Sequence, residues 1–214
     1  MRVFSTLAVA GLLRPLLEDA VFEPTARLVA RIEAGETADL AFLTQEAVAA
    51  LTARGLLVSG RDIARSFIGL AVQEGAPRPD IATVDALRAT LLAAPSLAYS
   101  RAGASGIFFA GLIERLGIAA EVNAKATIIP QGFTAALAAR GEVALAIQQV
   151  SELMAVEGVD LVGRLPEGAN VGAVFSAAVF AGAQPGSEAA LHRLLTAMGP
   201  AALEAAGLEA VQDR

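Results

Sequence analysis

Along this chain short apolar runs alternate with stretches whose apolar residues recur at three- and four-residue spacing. The runs near Val3–Ser5, Val21–Phe22, Leu40–Leu43, Ile68–Val72, Leu97–Tyr99, Thr127–Ile129, Leu145–Gln148, Leu161–Val162 and Val174–Phe180 read as strands. Helical spacing covers Val9–Asp19, Arg27–Ala34, Gln45–Arg54, Val84–Ala93, Ser105–Leu116, Thr134–Ala139 and Glu188–Met198. Gly35, Gly55 and Gly117 stand where three of these helices should stop. Strand and helix in alternation predict an α/β fold with mostly parallel sheets flanked by helices.

Two breaks interrupt the alternation. Residues 75–80 (GAPRPD) and 163–172 (GRLPEGANVG) are rich in glycine, proline and polar side chains. Two crossings imply an inserted lobe: residues 1–74 with 172–214 form the first lobe and 75–171 the second, with a ligand cleft between them.

The ends of the predicted strands share a chemistry. Ser5 and Thr6 close the first, Pro24 and Thr25 follow the second, and Thr44 follows the third. Ser100, Arg101 and Ser105, then Gln131 and Gly132, then Gln148, Gln149 and Ser151 follow later ones. Open parallel sheets bind ligands at the carboxyl ends of their strands. Small residues there expose backbone N–H groups, and a helix start favours an anion. In residues 98–106 (AYSRAGASG) a strand passes almost directly into a helix through such a turn, and the turn carries one arginine.

Composition removes several functions. At 214 residues and 55% hydrophobic content the chain can fill sizeable cores. Its net charge is −6 and its basic residues are scattered, so it offers no stripe to nucleic acid. It has no cysteine and one histidine, His192, beside an apolar helix face, which excludes thiol chemistry, histidine triads and multi-histidine metal sites. Neither metal nor cofactor is implied. No apolar stretch approaches the ~20 residues of a membrane span, so membrane insertion is not expected. Arg2 followed by apolar residues imitates a signal peptide, but Arg14 and Pro15 interrupt the run and no small-residue cleavage site follows. The expected location is the periplasm if a leader has been removed, and the cytoplasm otherwise.

Several segments together resemble the type II periplasmic substrate-binding proteins, in their molybdate-binding-protein-like branch. They are residues 31–44 (RIEAGETADLAFLT), 62–66 (DIARS), 76–87 (APRPDIATVDAL), 98–106, 113–118 (IERLGI) and 146–153 (AIQQVSEL), in order over nearly the whole chain. The resemblance implies two lobes that close on an anion held by hydroxyls and by backbone amides at helix N-termini. Carried over by position, Ser5, Thr6, Thr25, Tyr99, Ser100, Arg101, Ala104, Ser105, Gly106, Gln148 and Gln149 would line the cleft. One departure stands out: between Asp19 and Val21 the chain lacks the end of the first helix and the turn that leads to the second strand in the family, which bears on how Ser5 and Thr6 are placed.

Arg65 and Arg101 can each grip a carboxylate with two prongs, which points to an organic carboxylate or polycarboxylate rather than molybdate. The expected activity is capture of a small anion for an ABC-type permease. The alternative is a cofactor-independent isomerase of an unsaturated acid such as aconitate, on the same scaffold. An allylic proton shift needs a base, an acid and cationic anchors. Glu23, beside the second-strand turn, and Tyr99 are the residues for it.

Overall fold

A computed structural model describes residues 1–211; residues 212–214, the end of the expected first lobe, lie outside the described residues. The chain divides into two compact units, Met1–Ser66 together with the chain from Ala173 onward, and Phe67–Gly172.

The first unit opens with β1 (Val3–Ser5), a 3-10 turn (Leu7–Val9), α1 (Ala10–Leu13), β2 (Ala20–Phe22), α2 (Thr25–Glu33), β3 (Leu40–Thr44), α3 (Gln45–Ala53) and β4 (Leu57–Ser66). The second contains β5 (Ile68–Gln73), α4 (Val84–Ala93), β6 (Leu97–Ser100), α5 (Ala104–Arg115), α6 (Ala119–Asn123), β7 (Ala126–Ile129), α7 (Ala135–Ala139), β8 (Leu145–Gln149), α8 (Val150–Met154) and β9 (Val159–Arg164). The chain then returns to the first unit with β10 (Ala173–Phe180), α9 (Ser187–Ala197), α10 (Pro200–Ala205) and β11 (Glu209–Ala210).

In the first unit the sheet order is β11-β4-β10-β3-β1-β2. β1 runs parallel to β2 and β3, while β10 runs antiparallel to β3 and β4. The second sheet has the order β7-β6-β8-β5-β9, with β6 parallel to β7 and β8 and with β5 antiparallel to β8 and β9. Both sheets are mixed, and their inner parallel strands β1, β3, β6 and β8 are buried on both faces. Leu40 and Phe42 of β3 pack into one cluster with Leu13 and Phe175, while Ala41 and Leu43 pack into another with Leu28 and Leu51. Likewise Leu97 and Tyr99 of β6 face Phe109 and Leu112, and Ala98 faces Ala135 and Ala138. Covering both faces is why these strands read as unbroken apolar runs. Truncating a wholly buried ring such as Phe42 to alanine costs about 3–5 kcal/mol.

The expected elements need four corrections. The first helix stops at Leu13 instead of Asp19, because Pro15 has no N–H to give and its ring clashes with the carbonyl four residues back. β4 was not foreseen: it reads LVSGRDIARS, is largely exposed, and exists through an irregular ladder to β10. The Ile68–Val72 strand belongs to the second unit, where it pairs with β8 and β9, and the boundary falls at Ser66–Phe67, ahead of the 75–80 segment. The short α6, α8, α10 and β11 carry too few residues to show a period. No helix among the described residues is long and apolar enough to cross a membrane.

Candidate functional site

In the first unit, the carboxyl ends of β1, β2 and β3 deliver Ser5, Thr25 and Thr44 into loops or helix starts. Ser5 is fully buried and its hydroxyl donates to the Thr6 carbonyl at 3.0 Å. Thr6 caps the 3-10 turn, and its N–H donates to Phe42 O at 2.8 Å, so pairing with β3 holds this end in place despite the short first helix. Thr25 is the first residue of α2, and its buried Oγ1 has no partner among the described residues.

Glu23 lies between β2 and α2, and Arg31 holds its carboxylate at 3.1 Å. The same guanidinium grips Glu36 with both prongs, and Arg2 also reaches Glu36. As a base, Glu23 is therefore committed. Arg65 is exposed on β4, opposite Val174 of β10. Two strands separate β4 from β1, about 14 Å at ~4.8 Å per step, so Arg65 is not brought beside Ser5 and Thr6.

Sequence reasoning missed a polar cluster here. The Asp62 carboxylate accepts from Gln45 Nε2 and from the buried Ser176 Oγ, joining α3, β4 and β10. Asp62 stands in the 62–66 segment, but its partners Gln45 and Ser176 lie 17 and 114 positions away in the chain.

In the second unit the turn after β6 shows why its residues are small. A Cβ on Gly106 would sit 1.7 Å from the Ser100 carbonyl oxygen and 2.8 Å from Ser100 Oγ; one on Gly103 would sit 2.6 Å from that Oγ. The two glycines let the first turn of α5 close over Ser100. The Ser100 hydroxyl is buried beneath that turn with no partner among the described residues. Ala104, exposed, and Ser105, buried, begin α5, and their N–H groups have no intrahelical acceptor. Arg101 is exposed, its backbone N–H extends the ladder to Ile129 O at 2.8 Å, and no ion pair engages its guanidinium among the described residues.

Tyr99 is turned the other way. Its ring packs 5.1 Å from Phe109, its hydroxyl donates to Asn123 Oδ1 at 2.7 Å, and burial raises its pKa against a smaller opposing effect of Arg101. It is a core residue, neither a cleft donor nor a poised base.

Gln148 and Gln149 part company too. Gln148 Oε1 accepts from the N–H and hydroxyl of Thr134 at 2.7 and 2.9 Å, and its Nε2 donates to Gly132 O at 2.9 Å. That clamp, with the second amide N–H turned to Glu152, leaves Gln148 no free donor for an anion. Gln149 is 3% exposed and its Oε1 has no partner among the described residues. The β6–β8 register, Leu97 with Leu145 and Ala98 with Ala146, places Ser100 and Gln149 at neighbouring strand ends.

The helices bear on charge as well. Among those of nine residues or more, α3, α4 and α9 carry an acid in their first turn, whereas α2 and α5 carry none. The acid-free first turns are those beside Thr25 and Ser100, and the acid just ahead of α2, Glu23, is paired with Arg31.

Two mixed sheets linked by crossing strands, with hydroxyls at acid-free helix starts, are the architecture of the type II periplasmic substrate-binding proteins. Residues 19–209 match the family of bacterial extracellular solute-binding proteins, and the chain belongs to that family. It is 38% identical over 186 residues, 85% of this chain and 71% of the relative, to a protein of a Pseudomonas species named aconitate isomerase. The fold is similar to that of the periplasmic molybdate-binding protein of Azotobacter vinelandii, at 14% identity and a TM-score of 0.74, over 99% of this chain and 100% of that one. It is also similar to the sulfate-binding protein SubI of Mycobacterium tuberculosis, at 15% identity and a TM-score of 0.69, over 99% and 87%.

Proposed function

We propose that this protein captures a small organic polycarboxylate and presents it to an ABC-type permease from the periplasm. One observation carries the reading. The buried side-chain oxygens left without partners among the described residues are Thr25 Oγ1, Ser100 Oγ and Gln149 Oε1. Buried polar groups are rarely left unpaired without reason. Thr25 Oγ1 and Ser100 Oγ are hydroxyls that can donate, each beside a helix start whose first turn carries no acid, and a carboxylate is the partner such a setting lacks; Gln149 Oε1 accepts only and needs a donor instead. Arg101, free of ion pairs among the described residues, adds a two-pronged anchor suited to a planar carboxylate. The relative named for aconitate is consistent with a tricarboxylic acid.

A second reading, isomerisation of an unsaturated acid, is favoured by that relative's name. Against it, Glu23 is held by Arg31 and Tyr99 by the core, so neither named proton carrier is free.

Both readings are tested together. Tricarballylate, citrate and trans-aconitate are expected to raise Tm by mass action, and molybdate and sulfate are not. A panel in which only the inorganic oxyanions act refutes the carboxylate reading. Proton NMR of trans-aconitate with the protein in heavy water is expected to show neither cis product nor deuterium uptake; either one establishes the isomerase.

A further inference from the structure

Glu152 is an ionisable group that neither reading uses. It is the third residue of α8, packed by that helix against β5, β8 and β9, and is 7% exposed. Its carboxyl accepts from the backbone N–H of Gln149, which caps α8, and from the side-chain amide of Gln148. The first contact is half of a capping box. Through the second, Glu152 joins the clamp that ties Gln148 to Thr134 and Gly132.

What the carboxyl lacks is a cation. Neither β5 nor β8 carries an ionisable residue, and α8 carries no other. On β9 the ionisable residues are Asp160 and Arg164. Asp160 is taken by Arg78 and by the Gly75 N–H, and Arg164 lies over the Phe67 ring. Among the described residues no ion pair reaches Glu152. A buried carboxyl with neutral partners is costly to ionise, and burial pushes this one up to about 8 against the opposing pull of its two hydrogen bonds.

We propose that Glu152 is a positioning residue for the ligand-facing end of β8, holding Gln149 and Gln148 in place as a neutral carboxylic acid, so that anion capture there requires Glu152 to keep its proton. The inference rests on the carboxylate reading. Ionisation places a negative charge one helical step from Gln149, in the water-poor surroundings where charge repulsion is strongest.

The test is calorimetric titration of the full chain with tricarballylate, which has no double bond to move, across about pH 7 to 9.5, where its carboxyls stay ionised. The wild type is expected to hold its affinity up to about pH 8 and then to lose it, approaching tenfold per pH unit, as one proton linked to binding requires. Glu152→Gln keeps the shape and a carbonyl acceptor but cannot ionise, and is expected to bind at pH 7 within about threefold of wild type with a flat profile. Binding with the same pH profile in both proteins overturns this inference alone. No binding by either at any pH overturns the carboxylate reading and this inference with it. A readout independent of the variant is the carboxyl carbon NMR of wild-type protein labelled at glutamate. One resonance is expected to titrate above pH 7, and a spectrum in which every carboxyl titrates below about pH 5.5 overturns the proposal.

Discussion

Ser100 and Gln149 differ from their neighbours Tyr99 and Gln148 by one position each, and that single step separates side chains left unpaired from side chains committed to the interior. Successive strand residues point to opposite faces, so a polar pair at a strand end sends one member each way. The sequence locates the pair but not the division between them. Ala104, exposed at the start of α5, allows a direct trial. Ala104→Asp is expected to leave Tm unchanged or slightly raised, because acids suit a first helical turn, and to weaken tricarballylate binding more than about a hundredfold by occupying the anion's place. Arg101→Ala is expected to cost a charge-assisted contact of about 1.5–3 kcal/mol, a ten- to hundredfold loss of affinity by calorimetric titration. Unchanged affinity in both variants would put the anion elsewhere.

At the scale of elements, the turn from β6 into α5 shows local sequence and packing acting together. Gly and Ser at 100–106 signal a tight turn, and that much is legible from residue type. Which glycine is indispensable depends on where Ser100 lies. Gly106→Ala drives a methyl into backbone and is expected to lower stability by about 3 kcal/mol, a fall in Tm of roughly 5–10 °C by calorimetry. Gly103→Ala meets only the Ser100 side chain, so adding Ser100→Ala is expected to restore its Tm while leaving Gly106→Ala impaired. Equal rescue of both would show that the backbone at Ser100 yields. Pro15 works in the opposite sense: it cuts α1 short, yet the pairing of Thr6 with Phe42 keeps the end of β1 in register.

For the molecule as a whole, Glu152 ties global stability to pH. Its folded carboxyl titrates near 8 and an unfolded one near 4.5, so the folded chain holds the proton more tightly. The stability this gives is complete below about pH 4.5 and is lost as pH rises through about 8. Relative to Glu152→Gln, wild-type Tm is expected to decline from pH 5 to 8 and then level off. A constant difference between the two would mean that Glu152 is ionised throughout. The carboxylates of Glu36, Glu142 and Asp160 are lowered instead, the first two mainly by arginine hydrogen bonds and Asp160 mainly by the Gly75 N–H; their contribution is lost only on acidification, below this window.

Read alone, the sequence determined the alternation of strand and helix, the two-sheet class and the small, polar turns at the strand ends. Those features rest on short-range causes: the period of apolar side chains, the missing N–H of proline, and the preference of glycine and serine for tight turns. Tertiary structure alone decided the existence of β4, the Asp62–Ser176 contact, the Arg31 grip on Glu23 and the burial of Glu152 without a cation. The physical reason is separation along the chain. Asp62 and Ser176 lie 114 positions apart, and no local pattern records a partner at that distance or the solvent that packing removes from a carboxyl.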